Sequence, residues 1–231
     1  MNETLFQAAT LIIPLVLAIV FHEVAHGWTA RALGDPTAEE RGRLTLNPLK
    51  HVDPVGTVIL PGMLALMKAP ILGWAKPVPV NMWRLRKPRS DMMLVAAAGP
   101  ASNLVLAAIG AVVLGLLARN FSEAQPPEGL SAFLVANLIN FLLINTFLAF
   151  FNLLPIPPFD GSHIVEGLLP ERMAEAYASM RRYGMAVVLV LIVVLPMLAP
   201  EANLIARFVL PPVEWMAGQY MALAAFVAGA G

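Results

Sequence analysis

The charged residues of this chain fall in clusters, and the gaps between clusters are long and apolar. No Asp, Glu, Lys or Arg occurs in the 19 residues between Glu3 and Glu23, the 27 between Asp91 and Arg119, the 31 between Glu128 and Asp160, or the 18 between Arg182 and Glu201. A bilayer core about 30 Å thick is crossed by about 20 apolar residues wound as helix. The pattern therefore predicts four spans, over about 4–30, 92–118, 131–155 and 183–200. The stretch 203–229 is apolar too, but Arg207, Pro211, Pro212 and Glu214 interrupt it. It reads as a kinked or broken last span. The stretch 54–67 has only 14 residues between Asp53 and Lys68 and contains Gly56, Pro61 and Gly62. That length suits a re-entrant or interfacial segment better than a crossing. The fold class expected is an all-α polytopic membrane protein with about five transmembrane helices. A membrane-associated re-entrant or β-hairpin segment is expected after the first helix.

Charge asymmetry orients the spans. Arg31, Arg41, Arg43 and Lys50 precede the 54–67 segment, and Lys68, Lys76, Arg84, Arg86, Lys87 and Arg89 follow it. If the segment does not cross, all these charges share one side, which the positive-inside rule makes cytoplasmic. The N-terminus, MNETLFQ, has no basic residue and is expected outside, with helix 1 running inward. The missing basic leader also argues against a cleaved signal peptide.

Composition narrows the function classes. Of 231 residues, 58% are hydrophobic and 13% charged, and mean hydropathy is +0.73. Soluble domains carry about 25% charged residues. Fifteen basic residues balance fifteen acidic ones, so there is no footprint for nucleic acid. The chain has no cysteine, which removes disulfides, thiolate nucleophiles and Cys-ligated metal sites.

Near the inner end of helix 1 stands His22-Glu23-Val24-Ala25-His26. Histidines at i and i+4 share a helix face, so both imidazoles can bind one metal, with the adjacent Glu placed to take a proton from water. A pair of hydrogen-bonded core histidines is the bland alternative. Three ionisable groups within about one turn of a membrane helix are costly, which favours function. Two histidines do not complete a catalytic zinc site, which takes three protein ligands. The soluble extension with a third His is absent, because Thr29 and Ala32 occupy its Gly and His positions. Glu39 and Glu40 read as part of a solvated loop. Asp160 is the better third ligand. It ends the longest uncharged stretch, in Asn152-Leu153-Leu154-Pro155-Ile156-Pro157-Pro158-Phe159-Asp160-Gly161, although Pro-Phe-Asp-Gly is also good turn chemistry. The 131–155 span runs inward like helix 1, so both metal motifs reach the same depth.

H-E-x-x-H in a membrane helix, paired with N-x-x-P-x-P-x-x-D-G well over a hundred residues later, resembles the site-2 proteases, which are zinc intramembrane metalloproteases. Further segments are similar to the compact bacterial branch without PDZ or CBS domains: Leu33-Gly34-Asp35-Pro36-Thr37, Gly42-Arg43-Leu44-Thr45-Leu46-Asn47-Pro48, His51-Val52-Asp53-Pro54, Gly73-Trp74-Ala75-Lys76-Pro77-Val78-Pro79-Val80-Asn81 and Ala98-Gly99-Pro100-Ala101-Ser102-Asn103. The resemblance implies one zinc per chain, bound by His22, His26 and Asp160, with Glu23 as general base. It implies that Asn152 holds substrate or the oxyanion and that Pro155 and Pro157 help position substrate. Phe159 stands where the family usually has Leu. The implied domain organisation is a single membrane-embedded peptidase domain over 1–231, with its core in 4–170 and C-terminal helices in 183–229. The implied partners are a transmembrane protein substrate and the lipid bilayer, and the implied location is the bacterial inner membrane, with the active site near the cytoplasmic side.

Other readings stay open from the residues alone. A metal transporter or sensor could use the same His/His/Asp set, though it has no need of Glu23. The 54–80 region could offer a strand edge to an extended substrate or be a membrane-surface loop. His51 reads as a loop histidine, and His163 as a polar contact near the membrane surface or a further group at the metal. Asn103, Asn137, Asn140 and Asn145 lie within apolar spans, where interhelical hydrogen bonding is the default role; Asn140 and Asn145 could also line the substrate path.

Overall fold

A computed structural model of the chain describes residues 3–59, 63, 75–122, 125–199, 201 and 203–229. Helix α1 runs over Glu3–Ala32, α2 over Pro88–Ala118, α3 over Leu130–Asn152 and α4 over Asp160–Leu168. A fifth helical run, α5, covers Glu171–Leu198; it contains a 3-10 stretch at Ser179–Tyr183 and a π stretch at Val190–Val194. Helix α6 covers Leu210–Ala228, with Pro211 and Pro212 in its first turn.

Among the described residues, four helices are long and apolar enough to cross a bilayer: α1 from Leu5, α2, α3 and α5. Helix α6 is not one of them. In each span most residues are exposed or half-buried. Leu11, Ile12 and Ile13 on α1 and Val105, Ile109 and Val113 on α2 are exposed. Water would not tolerate so continuous an apolar surface, whereas lipid does.

The spans expected from the charge gaps coincide with these helices, with two shifts. Helix α3 stops at Asn152 rather than near 155, because Pro155, Pro157 and Pro158 cannot continue it. Helix α5 begins at Glu171 instead of 183, because its first turns are polar and invisible to a rule that starts spans after the last charge. Pro54–Ile59 is wound as helix, with Asp53 Oδ1 accepting from the Val55 and Gly56 amides at 3.0 and 2.7 Å; it is not strand. Most of the rest of 54–67, and with it the expected hairpin, lies outside the described residues. Residues 75–81 run without helix, turn or strand.

Helix α2 is the centre of the bundle and packs on α1, α3, α4 and α6. Its small residue Ala111 and Leu114 meet Leu142 of α3 and Ala217 and Ala224 of α6. At the other end Ala30, Leu85 and Val95 form a second cluster, which joins the end of α1 to α2. Asp35 locks that corner. It is fully buried; its Oδ1 accepts from the Thr37 amide at 3.0 Å and from the Thr37 hydroxyl, and its Oδ2 accepts from the Asn81 amide at 2.6 Å. The extended segment 75–81 is thereby pinned at one end. At the other, the Lys76 amide donates to His51 O at 2.8 Å and Arg43 Nη2 donates to Lys76 O at 2.7 Å.

Candidate metal centre

Helix periodicity puts His22 and His26 on one face of α1, and both are buried, 7% and 9% exposed. Asp160 reaches them because the chain turns sharply after α3. Gly161 makes the turn possible, since any side chain there would collide with the Leu153 and Leu154 carbonyls. Asp160 Oδ2 lies 3.0 Å from His22 Nε2 and 3.3 Å from His26 Nε2, and the two Nε2 atoms are 3.1 Å apart.

The outer ring nitrogens decide what those inner atoms are. His26 Nδ1 is 2.7 Å from the Val95 carbonyl, which can only accept. His22 Nδ1 is 2.6 Å from Asn103 Oδ1. Each Nδ1 therefore carries a proton, and in a neutral imidazole each Nε2 then presents a bare lone pair. The third inner atom, Asp160 Oδ2, is buried and meets no donor in good hydrogen-bond geometry. Three electron-pair donors thus converge within 4.8 Å of one another, an arrangement that repels itself unless a cation sits among them. Four-coordinate zinc, with bonds of about 2.0–2.1 Å, separates its ligands by about 3.3 Å. The observed edges of 3.0–3.3 Å fit a site of that size.

A cavity of about 660 Å³ opens on this cluster. Glu23, Asn152 and His163 line it. Ala75, Pro77, Val78 and Val80 wall one side, and Met185, Val188 and Leu189 of α5 another. Glu23 Oε2 accepts from the Val78 amide at 2.7 Å, so the extended segment aims the carboxylate. Asn152 Nδ2 donates to Leu148 O at 3.0 Å, which leaves the second hydrogen of that amide for another acceptor.

The remaining expected positions sort clearly. Pro155 and Pro157 do not line the cavity; they shape the turn behind Phe159, where the Pro155 carbonyl accepts from Tyr177 at 2.8 Å. His163 is beside the metal cluster but outside it. Its Nδ1 faces Arg181 Nη2 at 3.0 Å and so accepts. Burial first, then the Arg181 charge, push its pKa down to about 4, so it is a neutral cavity wall. His51 is buried and its Nε2 bonds Thr45 O at 2.9 Å. Glu39 and Glu40 end a one-turn helix, Thr37–Glu40, where a loop was expected, and pair with Arg31 and Arg84. Asn140 donates to Thr10 O at 2.8 Å and ties α3 to α1. Reading the sequence missed Val95 and Val78, which act through backbone atoms and leave no side-chain signal.

Two helix-borne histidines around a Glu, with a distant carboxylate closing the triad, are the arrangement of a metallopeptidase centre. The profile of "Peptidase family M50" matches residues 126–195, which include Asn152 and Asp160. The chain is 43% identical over 187 residues to "Putative zinc metalloprotease YwhC" of Bacillus subtilis, covering 79% of this chain and 80% of the relative. It is 34% identical over 181 residues to "Putative zinc metalloprotease Rip2" of Mycolicibacterium smegmatis, covering 77% of this chain and 64% of that relative. The Mycobacterium tuberculosis Rip2 is 31% identical over 189 residues, 81% of this chain and 66% of its own length. No solved structure matches the chain. The chain belongs to peptidase family M50, the site-2 proteases.

Proposed function

We propose that this protein is an intramembrane zinc endopeptidase that hydrolyses peptide bonds within or near transmembrane segments of membrane-protein substrates. The observation that carries the proposal is the convergence of three bare ligand atoms at the end of an apolar cavity that also holds Glu23. His22, His26 and Asp160 would hold one zinc per chain, and the ion supplies Lewis acidity that polarises a carbonyl and lowers the pKa of water to about 7. Glu23 takes the proton of the attacking water at its carboxylate and returns it to the leaving amine. The Val78 amide keeps that carboxylate turned into the cavity. Asn152 offers an amide hydrogen to the oxyanion, an interaction whose loss typically costs about 2.7–4 kcal/mol in the barrier. The apolar walls accept an unwound substrate segment and exclude bulk water.

On this reading residues 1–231 form a single peptidase domain, with its core in 4–170. The basic loops before and after 54–67 support an N-terminus outside and a site near the cytoplasmic face of the inner membrane, where water reaches the site without crossing the whole bilayer. Pro155 and Pro157 act by fixing the turn that presents Asp160. The test is zinc content per chain in detergent-purified protein, wild type beside Asp160→Ala. Near one zinc, sharply reduced in the variant, is expected. Full zinc without Asp160 would move the third ligand elsewhere, and no zinc in wild type after metal is added back would end the protease reading.

A further inference from the structure

Val95, Gly99 and Asn103 are spaced four residues apart and so lie above one another on one face of α2. That face runs antiparallel to the histidines of α1 and in register with them. The Val95 carbonyl meets His26, the Asn103 side chain meets His22, and Gly99 sits between, against both rings.

The Asn103 amide is wholly buried and has only one orientation. Its Nδ2 donates to Ala18 O at 3.2 Å and to Asn145 Oδ1 at 2.7 Å. Asn145 cannot reverse that bond, because its own Nδ2 is committed to Phe141 O at 2.8 Å. Flipping Asn103 would set its oxygen against two acceptors and its NH₂ against His22. Its oxygen therefore faces His22 Nδ1 at 2.6 Å and requires a proton there. In a neutral ring this leaves the lone pair on Nε2, the nitrogen turned to Asp160.

We propose that Asn103, locked by Asn145, is a positioning residue that fixes His22 in the one tautomer able to bind the metal. The inference rests on the metal-centre reading above. His26 receives the same instruction from a backbone carbonyl, and Asn103 is its side-chain counterpart across the helix pair. Without it His22 is free to adopt the Nε2–H form, which neutral imidazole prefers in water and which cannot ligate through Nε2. Partners of this kind are worth roughly 10- to 100-fold in metal affinity.

The test uses the full chain in detergent, stripped of metal, with zinc affinity read by competition against a chromophoric chelator and histidine tautomers read by ¹⁵N NMR. Wild type is expected to show His22 protonated on Nδ1. Asn103→Leu should bind zinc roughly 10- to 100-fold more weakly and shift His22 toward the Nε2–H form. If Asn103→Leu loses helix content, Asn145→Leu carries the test, since it frees Asn103 to rotate and should mix the two tautomers. Unchanged zinc affinity and tautomer in the folded Leu variants would overturn the proposal. Weaker zinc binding in the folded Leu variants with His22 still protonated on Nδ1 would overturn it too, by assigning the effect to packing. Wild type that takes up no zinc would instead end the metal reading, and the tautomer measurement would still judge Asn103 separately.

Discussion

Gly99→Ala sets two effects of opposite sign against each other. In a helix interior alanine is favoured over glycine by about 0.5–1 kcal/mol. At this position a Cβ would stand 2.5 Å from His26 Cε1 and Nε2 and 2.6 Å from His22 Cε1. Non-bonded carbons settle at about 3.5–4.0 Å, so the rings must retreat by about 1 Å. They have little room to do so, since their Nδ1 bonds of 2.6 and 2.7 Å already tether them to α2. Overpacking of this kind costs about 1–3 kcal/mol, which outweighs the gain in helix propensity. A reacting group displaced by about 1 Å loses about 10²-fold in rate. The variant should therefore unfold at a lower temperature, bind zinc more weakly in chelator competition, and cleave a transmembrane reporter about 10²-fold more slowly. A variant with a raised melting temperature, wild-type zinc affinity and full cleavage would refute the reasoning, because helix propensity would then be the only effect present.

Glu23→Gln keeps an oxygen to accept from Val78 but removes the base, so cleavage should fall by about 10²–10⁴-fold while zinc per chain stays at the wild-type value; retained cleavage would show that another group takes the proton. His163 contributes to the pH dependence of stability. Its folded pKa of about 4 lies below the ordinary 6.5, so the folded state binds fewer protons between those values, and stability is full above about 6.5 and lost as pH falls toward 4. The loss is on the order of 3 kcal/mol for a fully expressed shift. His163→Asn should narrow the gap in unfolding midpoint between pH 7 and pH 4.5, and parallel losses in both proteins would contradict that origin.

The meeting of His22, His26 and Asp160 was legible because each part carries a local signal. The i, i+4 spacing of His22 and His26 sets a helix face, and Asp160 marks the end of the longest uncharged stretch. The spans were legible for the same reason, although a rule based on charge carried α3 past the prolines that end it. The Asn103 contacts were not, although both asparagines stood out as polar groups in apolar helices. Asn103 is 81 positions from His22 and 42 from Asn145, so which asparagine meets which ring depends on how α2 is set against α1 and α3. Val78 was hidden more completely. Its contribution is an N–H between two prolines, and nothing in the side chain reports it. The polar first turns of α5 escaped because hydropathy registers lipid contact, not helical continuity.

The segment 75–81 is held by four hydrogen bonds, at the Lys76 amide, the Lys76 carbonyl, the Val78 amide and the Asn81 amide. Each contributes about 0.5–1.5 kcal/mol net. Together they hold the segment down by about 2–6 kcal/mol, so the form with all four released is a minor one. This side of the cavity is masonry rather than a door, and an incoming peptide is measured against a fixed wall that also aims the Glu23 carboxylate.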